Sequence, residues 1–407
     1  MDNKEPFPRL FNTLGRVGSI LGVVGAVLLA LSLGDLKTFM QAYLYGWMFW
    51  VSMTVGCLGW MLLQTLVRGS WGFPVLRLLE AGAKMMPIMG LAFLPIIYAA
   101  NIHMLYPWAD PSIVNGDPIV RWRAGWFNVG WFLLRNVVYF VVFTMFAYIL
   151  PYLSREQDRT GDLKLIQNRT NLAAAGFVIM VLLATFAITD WVMSLDPHWY
   201  STIYGFYFLI CSGLSGLAFV TLLACILRIT GVKPYADAGT PGSGLINRQL
   251  TRDLGNLLLT QTMVWAYFSL SQFLITWSGN LPNEIVFYVR RNQGLLSWVT
   301  AFLVTFQFFV PFLVLLSGRT KRVPILLAMV CTMILCVRVV EVAWNVIPMF
   351  HPLYGGLEAQ MQGFVFYVAA FLGIGGWWIF GFVSHLRRSD LISLTDLAPV
   401  EAVHHAA

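Results

Sequence analysis

The chain has 407 residues, of which 58% are hydrophobic and 11% charged, with a mean hydropathy of +0.71. A soluble domain carries about 25% charged residues, so this composition excludes a water-soluble enzyme and marks a polytopic membrane protein. The net charge of +7 lies in short segments between apolar runs, where it orients helices in a bilayer and makes no surface for nucleic acid.

A membrane-crossing helix needs about 20 predominantly apolar residues. Ten runs qualify, at 14–34, 42–66, 74–100, 126–151, 172–193, 199–228, 254–277, 295–316, 324–347 and 363–386. They are too long and too continuously apolar for barrel strands. The expected fold is therefore all-α, a single integral membrane domain over residues 1–407 in contact with lipid. The polar start MDNKEPFPRL shows no secretory signal. Basic residues concentrate on alternate loops: Arg155, Arg159, Lys164 and Arg169 follow the fourth run, and Arg319, Lys321 and Arg322 follow the eighth. The opposite loops hold only Lys37, Arg121, Arg123, Arg290 and Arg291. This bias places both termini in the cytoplasm.

The first run carries Gly18 and Gly22 at the spacing that lets helices approach closely, and Gly213 and Gly216 lie close on the sixth. The third run reads RLLEAGAKMMP, with Arg77, Glu80 and Lys84 on one face in the inner half. Glu80 and Lys84, four apart, can neutralise each other. The fourth run aligns Asn128, Arg135 and Tyr139. Arg135 falls roughly 14 Å from the outer end, near mid-membrane, and needs an acid from another helix, for which Glu80 is one candidate. The fifth run ends in Thr185, Thr189 and Asp190.

The turn TDWVMSLDPHWYSTIYG, residues 189–205, follows on the outer side. Asp196-Pro197 favours a turn, and Ser201 or Thr202 suits the cap of the next helix. Trp108, Trp126, Trp199 and Trp277 fit an interfacial belt. A quinone site needs an apolar cleft with one or two hydrogen-bonding groups such as His, Tyr, Asp or Trp, and this turn offers all four types. Residues 232–244 read as a flexible inner loop. The seventh run adds the polar lining Thr262, Ser269, Gln272 and Thr276, and the ninth sets Arg338, Glu341 and Asn345 on one face in the outer half. Ionisable residues at membrane depth cost about 2.5–3.5 kcal/mol each on insertion scales. Either they glue helices together, or Glu80, Lys84, Arg135, Asp190, Arg338 and Glu341, with His198 beyond, line a proton pathway whose weak point is its centre.

The five cysteines, Cys57, Cys211, Cys225, Cys331 and Cys336, form no CxxC, CxxCH or ferredoxin spacing and read as small buried groups. None of the six histidines, His351, His404 and His405 among them, lies in the middle of a run. The residues thus give this chain no metal and no haem of its own, and there is no P-loop.

Ten helices and the turn DWVMSLDPHWYSTIYG, residues 190–205, resemble the ActF family, the second NrfD/polysulfide-reductase-like membrane subunit of bacterial alternative complex III. The resemblance implies NrfD-like helix bundles in the bacterial cytoplasmic membrane. It implies as partners a second NrfD-like subunit, an iron–sulfur subunit, multihaem cytochrome c subunits and small membrane subunits. Haem c and the iron–sulfur clusters would sit in those partners, and the electron donor would be a quinol such as menaquinol, oxidised at a site assigned to the paralogous subunit. It implies for this chain an anchoring and proton-conducting role, carried by Glu80, Lys84, Asp190, Arg338 and Glu341. Two other readings stand beside it: a secondary transporter, for which no clear pair of broken helices is visible, and a quinone-binding redox subunit with its own site.

Overall fold

The computed structural model describes residues 8–30, 35–232, 235, 246–350, 363–388 and 391. The inner loop at 232–244, His351, His404 and His405 lie wholly or largely outside that set. Among the described residues the chain is helical throughout, without strands, and nine helices are long and apolar enough to cross a membrane. The expected tenth, at 254–277, is present as a 32-residue helix, Arg248–Gly279. Its polar residues leave it short of the hydropathy of the other nine.

In chain order the first helices are α1 Arg9–Ala30 and α2 Leu36–Val67. Asp35 caps α2 by accepting from the Thr38 amide at 3.2 Å. The third run is not one helix. It breaks into α3 Leu76–Ala83, α4 Met86–Leu91 and α5 Leu94–Asn101. Pro87 and Pro95 lack the N–H that would continue the ladder, and each opens a new short helix. Carbonyls freed within a membrane need other donors. The Trp47 indole N–H serves Met89 O at 2.9 Å and the Tyr43 hydroxyl serves Ala92 O at 2.7 Å. Two residues of α2 thus hold the broken span in place.

Two short helices, α6 Pro111–Gly116 and α7 Pro118–Arg123, lead to α8 Val129–Thr160, α9 Leu163–Trp191 and α10 Tyr204–Ile229. Asn128 caps α8 by accepting from the Trp131 amide, and α8 runs straight through Pro151 to end at Gly161, whose φ of +67° suits a glycine. Then come α11 Arg248–Gly279, α12 Pro282–Arg291 and α13 Leu295–Leu303. A π-helical turn, Val304–Phe309, follows just before Pro311 and joins α13 to α14 Val310–Leu316. The last described helices are α15 Gly318–Arg322, α16 Pro324–Val346 and α17 Phe364–Leu386.

The central helix is α2, 78% buried over its most apolar window against 28% for α1. It crosses α10 where Ser52 Oγ meets Ser212 Oγ at 2.9 Å. One turn on, a Cβ at Gly56 would lie 1.9 Å from Ser212 O and one at Gly216 would lie 2.7 Å from Gly56 C. The same Ser-x-x-x-Gly spacing on both helices therefore makes their closest approach. α1 packs on α17, with Gly18 and Gly22 facing Gly376 and Trp377.

Loops expected on one side of the membrane do meet one another. At one end Arg290 binds Asp196 at 2.8 Å, His198 binds Asp117 at 2.7 Å and Arg123 donates to Pro197 O at 2.5 Å. At the other, Arg68 donates to Ile166 O at 2.7 Å, and Tyr235 donates to Pro74 O at 3.1 Å. These ends are called outer and inner below, after the charge bias.

Candidate functional site

The charged residues picked out in the sequence gather at two levels. At the inner level Glu80 pairs with Arg77 at 2.7 Å, and not with Lys84 as its spacing suggested. Arg77 also binds Asp158, which lies beyond the expected fourth run at 126–151. With α8 continuous to Thr160, Asp158 reaches the face of α3. Arg77, Glu80 and Lys84 are all under 5% exposed. Lys84 lies where α3 ends, and its ammonium makes no ion pair or hydrogen bond among the described residues.

At the outer level Arg135 pairs with Asp190, not with Glu80. Its Nε and Nη2 donate to the two carboxylate oxygens, both at 2.8 Å. The Tyr139 hydroxyl donates to Asp190 at 3.0 Å, and Asp190 is fully buried. Since α8 begins at Val129, Arg135 stands only about 9 Å from that end, and its Nη1 reaches Trp126 O at 2.8 Å. The mid-membrane position expected for Arg135 is thus corrected to an outer one. Between the two levels the described residues of the first bundle, formed by α2, α4, α5, α8 and α9, hold no charged side chain. Trp47, Phe93, Phe140 and Trp191 fill that space, with ring centroids 4.8–6.3 Å apart.

The second outer centre is Glu341. Arg338 pairs with its Oε2 one turn earlier on α16. Its Oε1 accepts from the Tyr207 hydroxyl, from Trp265 Nε1 at 2.7 Å and from Cys211 Sγ at 3.4 Å. Arg338 is further held by Ser215 Oγ at 3.1 Å, and Asn345 Nδ2 donates to the Glu341 carbonyl at 2.9 Å. The shared face of Arg338, Glu341 and Asn345 is as the spacing indicated. Tyr207, Trp265 and Cys211 gave no signal, because each sits in an otherwise apolar run. Cys336, read as buried, is exposed.

Glu341 borders a cavity of about 1020 Å³ between α11, α12, α13 and α16. Tyr204, Tyr207, Trp265 and Trp344 line it, together with Ser269, Gln272 and Thr276 from the face of α11 that the sequence marked as polar. Thr262, the fourth of that set, bonds its own helix at Leu258 O. A smaller cavity of about 370 Å³ lies under the turn, lined by Trp108, Trp126, Trp199 and Asp196. Trp108 and Trp199 are 3% and 1% exposed, so they are walls of this end and not part of an interfacial belt. Trp126 and Trp277 are exposed as the belt requires. Ser201 does not cap α10; its hydroxyl meets Gln272 Oε1 at 2.5 Å and ties the turn to α11.

His198 is exposed, and Asp117 is its partner. The Asp117 carboxyl lies below its ordinary value: slight desolvation raises it, but the amides of Ile119 and Val120 and the neighbouring His198 outweigh that. Set against known proteins, the chain matches no protein-family model and no curated protein.

Proposed function

We propose that this chain is an integral membrane subunit of a quinol-oxidising electron-transport complex of the alternative complex III type in the bacterial cytoplasmic membrane. It anchors iron–sulfur and multihaem partners and contributes a transmembrane proton pathway whose exit groups are buried carboxylates near the outer side. The observation that carries this reading is Glu341. It is a fully buried carboxylate with four side-chain partners, at the edge of a large cavity. Helix glue does not need such a group, since apolar residues of like volume replace buried ion pairs at little or no loss of stability. A buried acid beside tyrosines and a cavity is what a proton site requires. Asp190, held by Arg135 and Tyr139, is the matching group in the first bundle. The aromatic filling between the levels makes each level an exchange point with its own side. Passage between them then needs a rearrangement, for which the broken third span is the hinge.

Purification from the native membrane in mild detergent tests the assignment. The chain should co-migrate with haem- and iron–sulfur-bearing subunits; a lone chain that binds a solute would remove the reading. That second outcome belongs to a secondary transporter. The break in the third span, beside Lys84, favours it, because transporters bind substrates at discontinuous helices.

A further inference from the structure

The large cavity has a second polar feature that the proton reading does not use. Arg291, the last residue of α12, is 1% exposed and lines the cavity. Its guanidinium donates to three main-chain carbonyls: Trp344 O at 2.9 Å, Phe287 O at 2.7 Å and Asn345 O at 2.8 Å. It also lies 3.5 Å from the centre of the Phe287 ring and 4.9 Å from that of Trp344. No carboxylate joins it among the described residues. The nearby acids are taken, Asp196 by Arg290 and Glu341 by Arg338. Burial lowers the guanidinium to about 9, which leaves it cationic at neutral pH. A buried charge without a counter-charge is costly. Of the five N–H groups that a guanidinium carries, three are used.

The rest of the cavity is built for hydrocarbon. Its rim residues Tyr267, Leu270, Phe273, Trp277 and Phe309 are exposed and apolar, so the mouth faces the lipid. Its volume suits a drug-sized molecule or a stretch of chain. Among the described residues the Ser269 hydroxyl, in the lining of the cavity, has no partner, nor has the indole N–H of Trp199, a side chain 1% exposed that walls both this cavity and the smaller one. Buried donors left unpaired mark a place for an acceptor.

We propose that this cavity binds an anionic amphiphile, with one hydrocarbon chain between α11 and α13 and the negatively charged head on Arg291. Charge complementarity selects the anion, since Arg291 is the cavity's one uncompensated charge among the described residues. Position agrees: α12 lies among the outer loops, between the ends of α11 and α13. The chemistry fits both an anionic phospholipid and a free fatty acid. Glu341 borders the same cavity, but the amphiphile is held by Arg291 and read by binding, whereas the proton reading is read by proton release, so either proposal can fail alone.

The test is native mass spectrometry of the purified full chain in its assembly, delipidated and then titrated with phosphatidylglycerol, oleate or phosphatidylcholine. The wild type should hold one anionic amphiphile per chain at least about tenfold more tightly than phosphatidylcholine, the gain from a charge-assisted hydrogen bond. The phosphatidylglycerol and oleate arms tell phospholipid from fatty acid. Arg291→Gln should lose that preference and Arg291→Lys should keep most of it. Because Arg291 also binds three carbonyls, Arg291→Gln alone could act by misfolding. Ser269→Trp fills the cavity without touching the charge and should displace the amphiphile from a chain that still assembles. Equal binding of phosphatidylcholine, retention of the anion by assembled Ser269→Trp, or a partner's protein segment seated in the cavity would overturn the proposal.

Discussion

Replacing Asp190 by asparagine keeps the side chain's size and removes the negative charge that Arg135 faces. Two charge-assisted hydrogen bonds at 2.8 Å and one from Tyr139 at 3.0 Å are lost or weakened together. Removing one partner of a buried ion pair costs about 3–5 kcal/mol, because the other charge stays behind. Here Arg135 retains Trp126 O at 2.8 Å and the Trp126 ring at 4.4 Å, and its side chain is 12% exposed. The cost should therefore lie at the lower end, about 3 kcal/mol. Thermal unfolding in detergent, followed by tryptophan fluorescence, reads it for Asp190→Asn, Arg135→Gln and the double variant. The double should lose less than the sum of the singles, with an interaction of about 2 kcal/mol. An Asp190→Asn protein within about 0.5 kcal/mol of wild type, or additive singles, would refute the pairing as a stabilising unit.

Other substitutions probe the frame around these centres. Gly56→Ala should cost at least about 1–3 kcal/mol and depress folded yield, since its Cβ would lie 1.9 Å from Ser212 O; undiminished yield on fluorescence-detected gel filtration would contradict the α2–α10 crossing. Trp47→Phe keeps an aromatic side chain, smaller than the indole, and leaves Met89 O without its donor, a loss of at least about 1–3 kcal/mol in the same melting assay. The Asp117 carboxyl lies below its ordinary value in the fold, so the contact with His198 holds above the usual carboxylate range. It is lost as pH falls through the lowered value. Proteolysis between residues 111 and 123 should accelerate over that acid window in wild type and show no such step in Asp117→Asn.

The apolar runs were legible because a spanning helix must be continuously hydrophobic, and the ends of most fall within a few residues of those observed. The broken third span was not. Pro87 and Pro95 sit in an unbroken apolar run, and membrane helices tolerate proline wherever neighbours satisfy the freed carbonyls. That depends on Tyr43 and Trp47 of another helix. The expected fourth run ends at 151 because polar residues follow it, while α8 continues through Pro151 to Thr160 and brings in Asp158. Faces on one helix, such as Arg338, Glu341 and Asn345, follow from the 3.6-residue period. Partners across helices do not: Arg135 with Asp190, Tyr207 and Trp265 with Glu341, and Arg290 with Asp196 needed the tertiary packing. Arg291 looked like a loop charge serving orientation, and only its burial against Phe287 and Trp344 gives it another role.

The most direct test is the number of protons released per electron by the assembly in sealed vesicles, for wild type and Glu341→Gln. Glutamine keeps the acceptor oxygen for Tyr207 and Trp265 but cannot exchange a proton. With assembly and haem content intact, Glu341→Gln should lower proton release per electron while quinol still binds. An assembled Glu341→Gln complex with unchanged proton stoichiometry would contradict a proton-carrying role for this buried carboxylate.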